Sequence, residues 1–298
     1  MNVFKFGGTS IGSPDAIGRA AAIATTKERP LVVVVSAMAG VTDLLLAAVN
    51  AAHRGNMTES QTASAKFRDM HLAASTALLA GSARDEANLE IIQASTELER
   101  ICESVAALGE LTTRTLDKCV ARGERVLAKL FVSVLRAKGQ KVAYVDGPEV
   151  IVVEHRFGAM HADLPACTER AELHIKPLLV AENVVIVPGF IGRTAQEALV
   201  TLGRGGSDFT AAILANALTA NAVTLYKEVD GMMTTDPRHV KTARLVRELH
   251  YREAAELPQL DARGQRAVIE GEAQLNRGLA KIENSSPDLK PTNAEVTA

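Results

Sequence analysis

The run Leu31-Val-Val-Val-Val-Ser36 carries no polar residue from 31 to 35, so a strand built from it is apolar on both faces. That pattern belongs to a strand covered on both sides, rather than to the alternation of a half-exposed sheet. Val142-Ala-Tyr-Val145, Val184-Val-Ile-Val187 and Val223-Thr-Leu-Tyr226 repeat the theme, and the chain opens on a strand-like Val3-Phe4-Lys5-Phe6. Between this opening and the valine run lies a helix with a clear start. Ser13 is its N-cap, Pro14 its first position, and Asp15 sits in the first turn. Helical periodicity also fills much of residues 60–108 and 113–137, the second stopped by Gly139. Strand–helix alternation predicts an α/β fold, a three-layer αβα sandwich with a largely parallel central sheet. In such sheets ligands bind beyond the carboxyl ends of the strands.

The bulk composition narrows the function classes. At 298 residues the chain has room for a sizeable core, and 47% hydrophobic with 23% charged residues is ordinary for a globular protein. A net charge of −2, 3% aromatics and no Trp give no footprint for nucleic acid and no basic surface for an acidic membrane. The three cysteines are widely spaced and odd in number, which reads as buried thiols in a reducing cytosol. Seven histidines are scattered without metal spacing, so no protein-held metal is expected. There is no signal-peptide h-region and no apolar run near the ~20 residues of a membrane helix. A cytoplasmic protein is the expectation. Residues 284–298 are polar and proline-broken, and are expected to be disordered.

Several glycine-rich segments fall where strands hand over to helices. In Lys5-Phe-Gly-Gly-Thr-Ser10, Gly7 and Gly8 let the backbone approach a phosphate while Lys5 neutralises transferring charge. A tight turn with a solvated lysine is the competing reading, and the motif alone does not separate them. Ser36-Ala-Met-Ala-Gly-Val-Thr42 offers hydroxyls at Ser36 and Thr42 for a polar substrate. Alone, it reads better as a plain connection with Thr42 as N-cap. Gly123-Glu124 interrupts a helix, and Glu124 can pair with a substrate ammonium, although a surface charge is the base expectation for glutamate. The strongest signal is Gly203-Arg-Gly-Gly-Ser-Asp208. Arg204 can grip a carboxylate with two parallel hydrogen bonds, Ser207 can cap the next helix, and Asp208 can order cations around phosphates. In Lys227-Glu-Val-Asp-Gly-Met-Met-Thr-Thr-Asp-Pro-Arg238, the backbone at Lys227 and Glu228 can hold an adenine edge, with Arg238 near phosphates. There is no GxxxxGK[ST] loop. Two anion cradles in one chain point to an enzyme handling two anions, hence to phosphoryl transfer.

In order and spacing, these segments resemble the aspartokinases of the amino-acid kinase family, from residue 1 to about Leu257. The resemblance implies the amino-acid kinase fold and transfer of the ATP γ-phosphoryl group to the β-carboxylate of L-aspartate, with ATP and Mg²⁺. That step leads to lysine, threonine, methionine and diaminopimelate. The resemblance makes Lys5 and Asp208 the catalytic residues, with Gly7, Gly8 and Ser10 as the phosphate loop. Thr42, Glu124, Phe190, Arg204 and Ser207 match the aspartate-site pattern. Lys227, Glu228, Met233 and Arg238 occupy the nucleotide-site positions, and Arg263 falls where the family has a nucleotide-binding lysine. An aspartate-binding lobe over residues 1–200 and an ATP-binding lobe over 201–283 are expected, in a homo-oligomer. The chemistry is consistent: a β-carboxylate with a pKa of about 4 is already ionised at neutral pH and needs no general base.

The departure begins after Glu256. The family continues with a glycine-alanine-lysine segment, a His-Pro and regulatory ACT domains, whereas here Pro258-Gln-Leu-Asp-Ala-Arg-Gly-Gln-Arg266 follows and no ACT-sized segment remains. Feedback by lysine or threonine is therefore not expected. Two alternatives stay open: another amino-acid kinase making a different acyl phosphate, or a non-catalytic ligand-binding subunit.

Overall fold

The computed structural model describes residues 1–156, 159–180, 184–227, 234, 240–246, 280–284 and 294–296. From the N-terminus run β1 (Asn2–Phe6), α1 (Pro14–Thr26), β2 (Leu31–Val35), α2 (Val41–His53), α3 (Met57–Leu78), α4 (Gly81–Leu108), α5 (Thr113–Val120) and α6 (Arg122–Ala137). Then come β3 (Val142–Tyr144), α7 (Gly147–Val150), β4 (Val153–Arg156), β5 (Ala159–Ala162), α8 (Leu164–His174), α9 (Lys176–Val180) and β6 (Val184–Pro188). The chain continues through β7 (Ile191–Arg193), β8 (Leu199–Thr201), α10 (Gly206–Ala217), β9 (Ala222–Lys227), β10 (Ala280–Asn284) and β11 (Ala294–Val296).

Among the described residues the main sheet has seven strands, ordered β11-β10-β9-β1-β2-β6-β3. Every pair is parallel except β10–β11. Side-chain alternation sorts the strands into two cores, as a sheet covered on both faces requires. Phe4, Phe6, Val33, Val35 and Ile186 pack with residues of α1, α2, α4 and α6. Val3, Val32, Val34, Val187 and Leu225 pack on the opposite side with Cys167 of α8 and Ala211 and Leu214 of α10. The expected αβα sandwich is the observed fold.

Local signals translate with few exceptions. The Ala16 amide donates to Ser13 Oγ at 3.2 Å, which is the expected cap of α1. Gly139 ends the α6 region with φ +78° and donates to the Arg136 carbonyl at 2.9 Å. The single helical pattern over 60–108 divides, because Leu79 and Ala80 are extended and Gly81 has φ +57°. Asn284 closes β10, and Ala294–Val296 forms β11 against it. An open strand edge presents unpaired N–H and C=O groups, which an antiparallel neighbour satisfies. The rest of the tail lies outside the described residues. Among the described residues no helix is long and apolar enough to cross a membrane.

Candidate active site

Strand period places the first functional group. Val3 and Lys5 lie on the α10 side of β1, and Lys5 stands opposite Leu225 of β9. Lys227, two residues beyond Leu225, projects to the same side at the carboxyl end of its strand. Asp208 is the third residue of α10, and it meets both lysines. Its Oδ1 lies 2.5 Å from Lys5 Nζ and its Oδ2 2.8 Å from Lys227 Nζ. Lys5 is 6% exposed and Asp208 2%. Burial pushes the Asp208 carboxyl up, but the two ammonium groups outweigh it and hold the carboxyl below the usual range. Burial lowers Lys5, Asp208 opposes that, and Lys227 adds to it. The position in the first turn of α10 favours the carboxylate as well. Among the described residues the cluster sets one carboxylate between two ammonium groups.

Three loops, after β1, β2 and β6, meet at this end of the sheet. The Gly7 amide and the Ser10 hydroxyl both donate to the Tyr226 carbonyl, at 3.3 and 2.9 Å. The Ser36 amide donates to the Phe6 carbonyl, and the Gly189 amide to the Val35 carbonyl. The first glycine loop enters a short 3₁₀ turn, Thr9–Ile11, before α1 begins. A Cβ on Gly8 would stand 3.2 Å from the Ala37 carbonyl oxygen, so the loop after β1 lies tight against the loop after β2.

Two expected caps are corrected. Thr42 and Ser207 each occupy the second position of their helices, and the N-caps are Gly40 (φ +78°) and Gly205 (φ +74°). A left-handed backbone at the cap excludes the extended conformation from which Ser or Thr caps a helix, and suits glycine. Neither helix carries a side-chain cap, so the buried Ser207 hydroxyl is not spent on α10.

Glu124 is the larger correction. It is 3% exposed instead of a surface charge. Its Oε1 accepts from the Ala37 amide at 3.3 Å, and its Oε2 is buried without a partner. Burial pushes this carboxyl up to about 8. Gly123 makes the approach possible: a Cβ there would fall 3.0 Å from both Ala37 Cβ and Val41 Cγ1. A signal was available in the sequence, since Val120, Leu127 and Phe131 place Glu124 on the apolar stripe of its helices.

Phe190 adopts φ +68°, uncommon for a bulky residue, and its amide donates to Thr210 Oγ1 of α10 at 3.1 Å. Gly189 faces Ser207 so closely that a Cβ would stand 2.7 Å from Ser207 Cβ. Arg204 is exposed, and among the described residues it makes no hydrogen bond or ion pair. Thus Lys5, Lys227 and Asp208 form one cluster, with Phe190 and Ser207 beside it at the start of α10. Glu124 joins from the other layer through Ala37, and Thr42 is half-buried on α2. The Lys227 side chain enters the charge cluster, a role its backbone assignment to an adenine edge did not anticipate. Glu228, Met233, Arg238 and Arg263 lie outside the described residues. Asp117 does not stand out by motif, yet its carboxylate accepts from the Thr201 hydroxyl at 2.7 Å. Among the described residues no three His, Cys, Asp or Glu side chains gather as a metal site.

Comparison with known proteins fits this geometry. The model of the amino acid kinase family matches residues 1–277, past the Leu257 at which the recognisable motifs end. The chain belongs to the amino acid kinase family. It is 36% identical over 266 residues to lysine-sensitive aspartokinase 3 of Escherichia coli, covering 88% of this chain and 56% of that protein. It is 33% identical over 257 residues to an aspartokinase of Chlamydia muridarum, covering 86% and 54%. The fold is similar to E. coli aspartokinase III solved with lysine and aspartate, with TM-score 0.86, 31% identity, and coverage of 100% of this chain and 64% of that one. The same enzyme solved with aspartate and ADP gives TM-score 0.80 at 30% identity, covering 100% and 65%. The chain therefore spans just over half the length of these curated relatives.

Proposed function

We propose that this chain catalyses phosphorylation of the β-carboxylate of L-aspartate by ATP, giving 4-phospho-L-aspartate and ADP. The observation that carries the reading is the Lys5–Asp208–Lys227 cluster at the start of α10, with the buried Glu124 Oε2, unpaired among the described residues, across the loops. The relatives are aspartokinases, and one similar structure holds aspartate and ADP.

The reaction joins two anions, so positioning and charge neutralisation do most of the work. A β-carboxylate oxygen attacks the γ-phosphorus, and the bond to the bridging oxygen breaks to release ADP. Lys5 faces the charge on the transferring group, while Asp208 holds Lys5 and Lys227 in place and keeps their repulsion tolerable. Arg204 takes the α-carboxylate. Glu124 takes the ammonium, which supplies its unpaired oxygen with a partner. Thr42, Phe190 and Ser207 flank the amino acid. Gly7, Gly8 and Ser10 receive the phosphates, with Lys227, Glu228, Met233, Arg238 and Arg263 on the nucleotide side.

The donor set favours phosphates over a protein-held metal, since Asp208 is already engaged by two lysines. Mg²⁺ fits as an ion carried by ATP, where it neutralises phosphate charge. In this reading the lobe of residues 1–200 holds most of the amino-acid side and that of 201–283 most of the nucleotide side, with Arg204 and Ser207 reaching across to the amino acid and Lys5, Gly7, Gly8 and Ser10 to the phosphates, in a cytoplasmic homo-oligomer feeding synthesis of lysine, threonine, methionine and diaminopimelate. The test is an assay with ATP, Mg²⁺ and a panel of amino acids, with hydroxylamine trapping any acyl phosphate. Hydroxamate with aspartate alone is expected. Hydroxamate with a different acceptor would indicate another amino-acid kinase, and none with any acceptor would indicate a binding protein.

A further inference from the structure

We infer that Asp117 is a positioning residue for the amino acid: its hydrogen bond to Thr201 sets the spacing between Glu124 and Arg204. This rests on the amino-acid site proposed above. Asp117 is buried near the end of α5, and its Oδ1 accepts the Thr201 hydroxyl at 2.7 Å across 84 residues of sequence. Each partner leads directly to one end of the site. From Asp117 the chain passes through Ala121 into α6 and reaches Glu124 seven residues later. From Thr201, the last residue of β8, it reaches Arg204 three residues later.

β8 needs such a tether. Among the described residues it pairs with β7 alone, in a two-stranded ribbon outside the main sheet that is bridged at Arg193 to Ile151 and Val152, and such ribbons depend on packing. Ile191 pairs with Thr201, and the Leu202 amide donates to the Phe190 carbonyl at 2.8 Å, so the ribbon's own bonds fix it to the Phe190 loop. Those bonds do not reach the helices around Glu124. The Thr201–Asp117 bond ties the ribbon to α5, which Ala121 joins directly to α6 and Glu124, and a hydroxyl donating to a carboxylate is among the stronger hydrogen bonds. No ion pair engages Asp117 among the described residues, so its charge is directed at Thr201. An α-amino acid presents its ammonium and α-carboxylate on one carbon, so their two partners must stand at a fixed separation. A shift of the ribbon moves Arg204 away while Glu124 stays, and binding weakens without any contact to ATP changing.

The experiment measures steady-state kinetics of the full chain as wild type, Thr201→Val, Thr201→Ser, Asp117→Leu, which removes the acceptor at similar size, and the Val/Leu double variant. Thr201→Val keeps the side-chain shape and removes the donor. It should raise KM for aspartate about tenfold, equivalent to about 1.4 kcal/mol, and leave KM for ATP and kcat within about twofold. Thr201→Ser keeps the hydroxyl and should restore KM for aspartate. The double variant should be no worse than Thr201→Val, because both changes remove one interaction. A folded Thr201→Val enzyme with wild-type KM for aspartate would overturn the role of Asp117 alone. So would a parallel rise in KM for ATP, which marks general loosening. Should Thr201→Val not fold, failure of a folded Asp117→Leu to raise KM for aspartate would overturn it equally. Wild type that never turns over aspartate would remove the proposed function, and this role with it.

Discussion

Replacing Glu124 by Gln should make the ligand-free protein progressively more stable than wild type as pH rises. The Glu124 carboxyl has an ordinary value of 4.5 and is pushed up to about 8 by burial, with the Ala37 amide as its hydrogen-bond donor from the neighbouring loop. Between those values the folded state binds more protons than the unfolded state, so stability falls as pH rises through the window. The contribution is complete below 4.5 and gone above about 8. Integrating the linkage relation gives about 2.7 kcal/mol remaining at about pH 6 and about 0.2 kcal/mol at about pH 8.5. Glutamine is isosteric and neutral throughout, so the stability of the variant minus that of wild type should grow by about 2.5 kcal/mol across that interval. Urea unfolding of both proteins at the two pH values, without amino acid, reads this directly. A difference that stays constant within about 0.5 kcal/mol, the scale of an ordinary surface substitution, would refute a buried, strained carboxyl at Glu124. The same linkage gives aspartate binding a sign. The ammonium needs the ionised carboxylate, so wild type should bind aspartate more tightly as pH rises from about 6 to 8 and should release a proton on binding.

Lys5→Ala should lower kcat by about 10²–10³-fold, with a smaller change in KM for ATP, because the cation acts where charge develops. Near-normal turnover in a folded variant would exclude Lys5 from the reaction. Asp208→Asn should destabilise by about 3–5 kcal/mol, since it leaves the buried Lys5 ammonium without its anion. That deficit should shrink as pH rises, because a folded lysine held below its unfolded value binds fewer protons; urea midpoints at neutral and alkaline pH check it. Arg204→Lys should raise KM for aspartate about tenfold and leave KM for ATP unchanged, because an ammonium cannot reproduce two parallel hydrogen bonds to a carboxylate. A rise in KM for ATP instead would move Arg204 to the nucleotide side.

The fold was legible because its signals are local and agree with one another. The valine runs that mark β2 and β6, the Ser13 cap and the Gly139 stop each depend on a few neighbouring residues, and the structure places them as read. Helix interruptions were harder to see. A period-based pattern over 60–108 does not register the extended Leu79 and Ala80 that separate α3 from α4. At the site, Lys5 and Asp208 stood out by motif, but their ion pair joins strand β1 to a helix two hundred residues away. For Glu124 two sequence signals conflict: residue-type burial preferences favour an exposed glutamate, while the apolar stripe of Val120, Leu127 and Phe131 and the glycine at 123 that lets the helix approach Ala37 bury it. Thr42 and Ser207 were assigned as caps by residue type, while the left-handed Gly40 and Gly205 take those positions. Asp117 left no sequence signal, because its partner Thr201 becomes a neighbour only when β8 docks on α5.

The central claim is that the phosphoryl group goes to the β-carboxylate of aspartate. Borohydride reduces an acyl phosphate to an alcohol, so the carbon that is reduced reveals which carboxylate carried the phosphate. Wild-type chain incubated with ATP, Mg²⁺ and L-aspartate and then reduced should yield homoserine, and the Lys5→Ala chain should yield far less. Recovery of 3-amino-4-hydroxybutanoate would place the phosphate on the α-carboxylate, and recovery of no amino alcohol from active, folded protein would contradict the account.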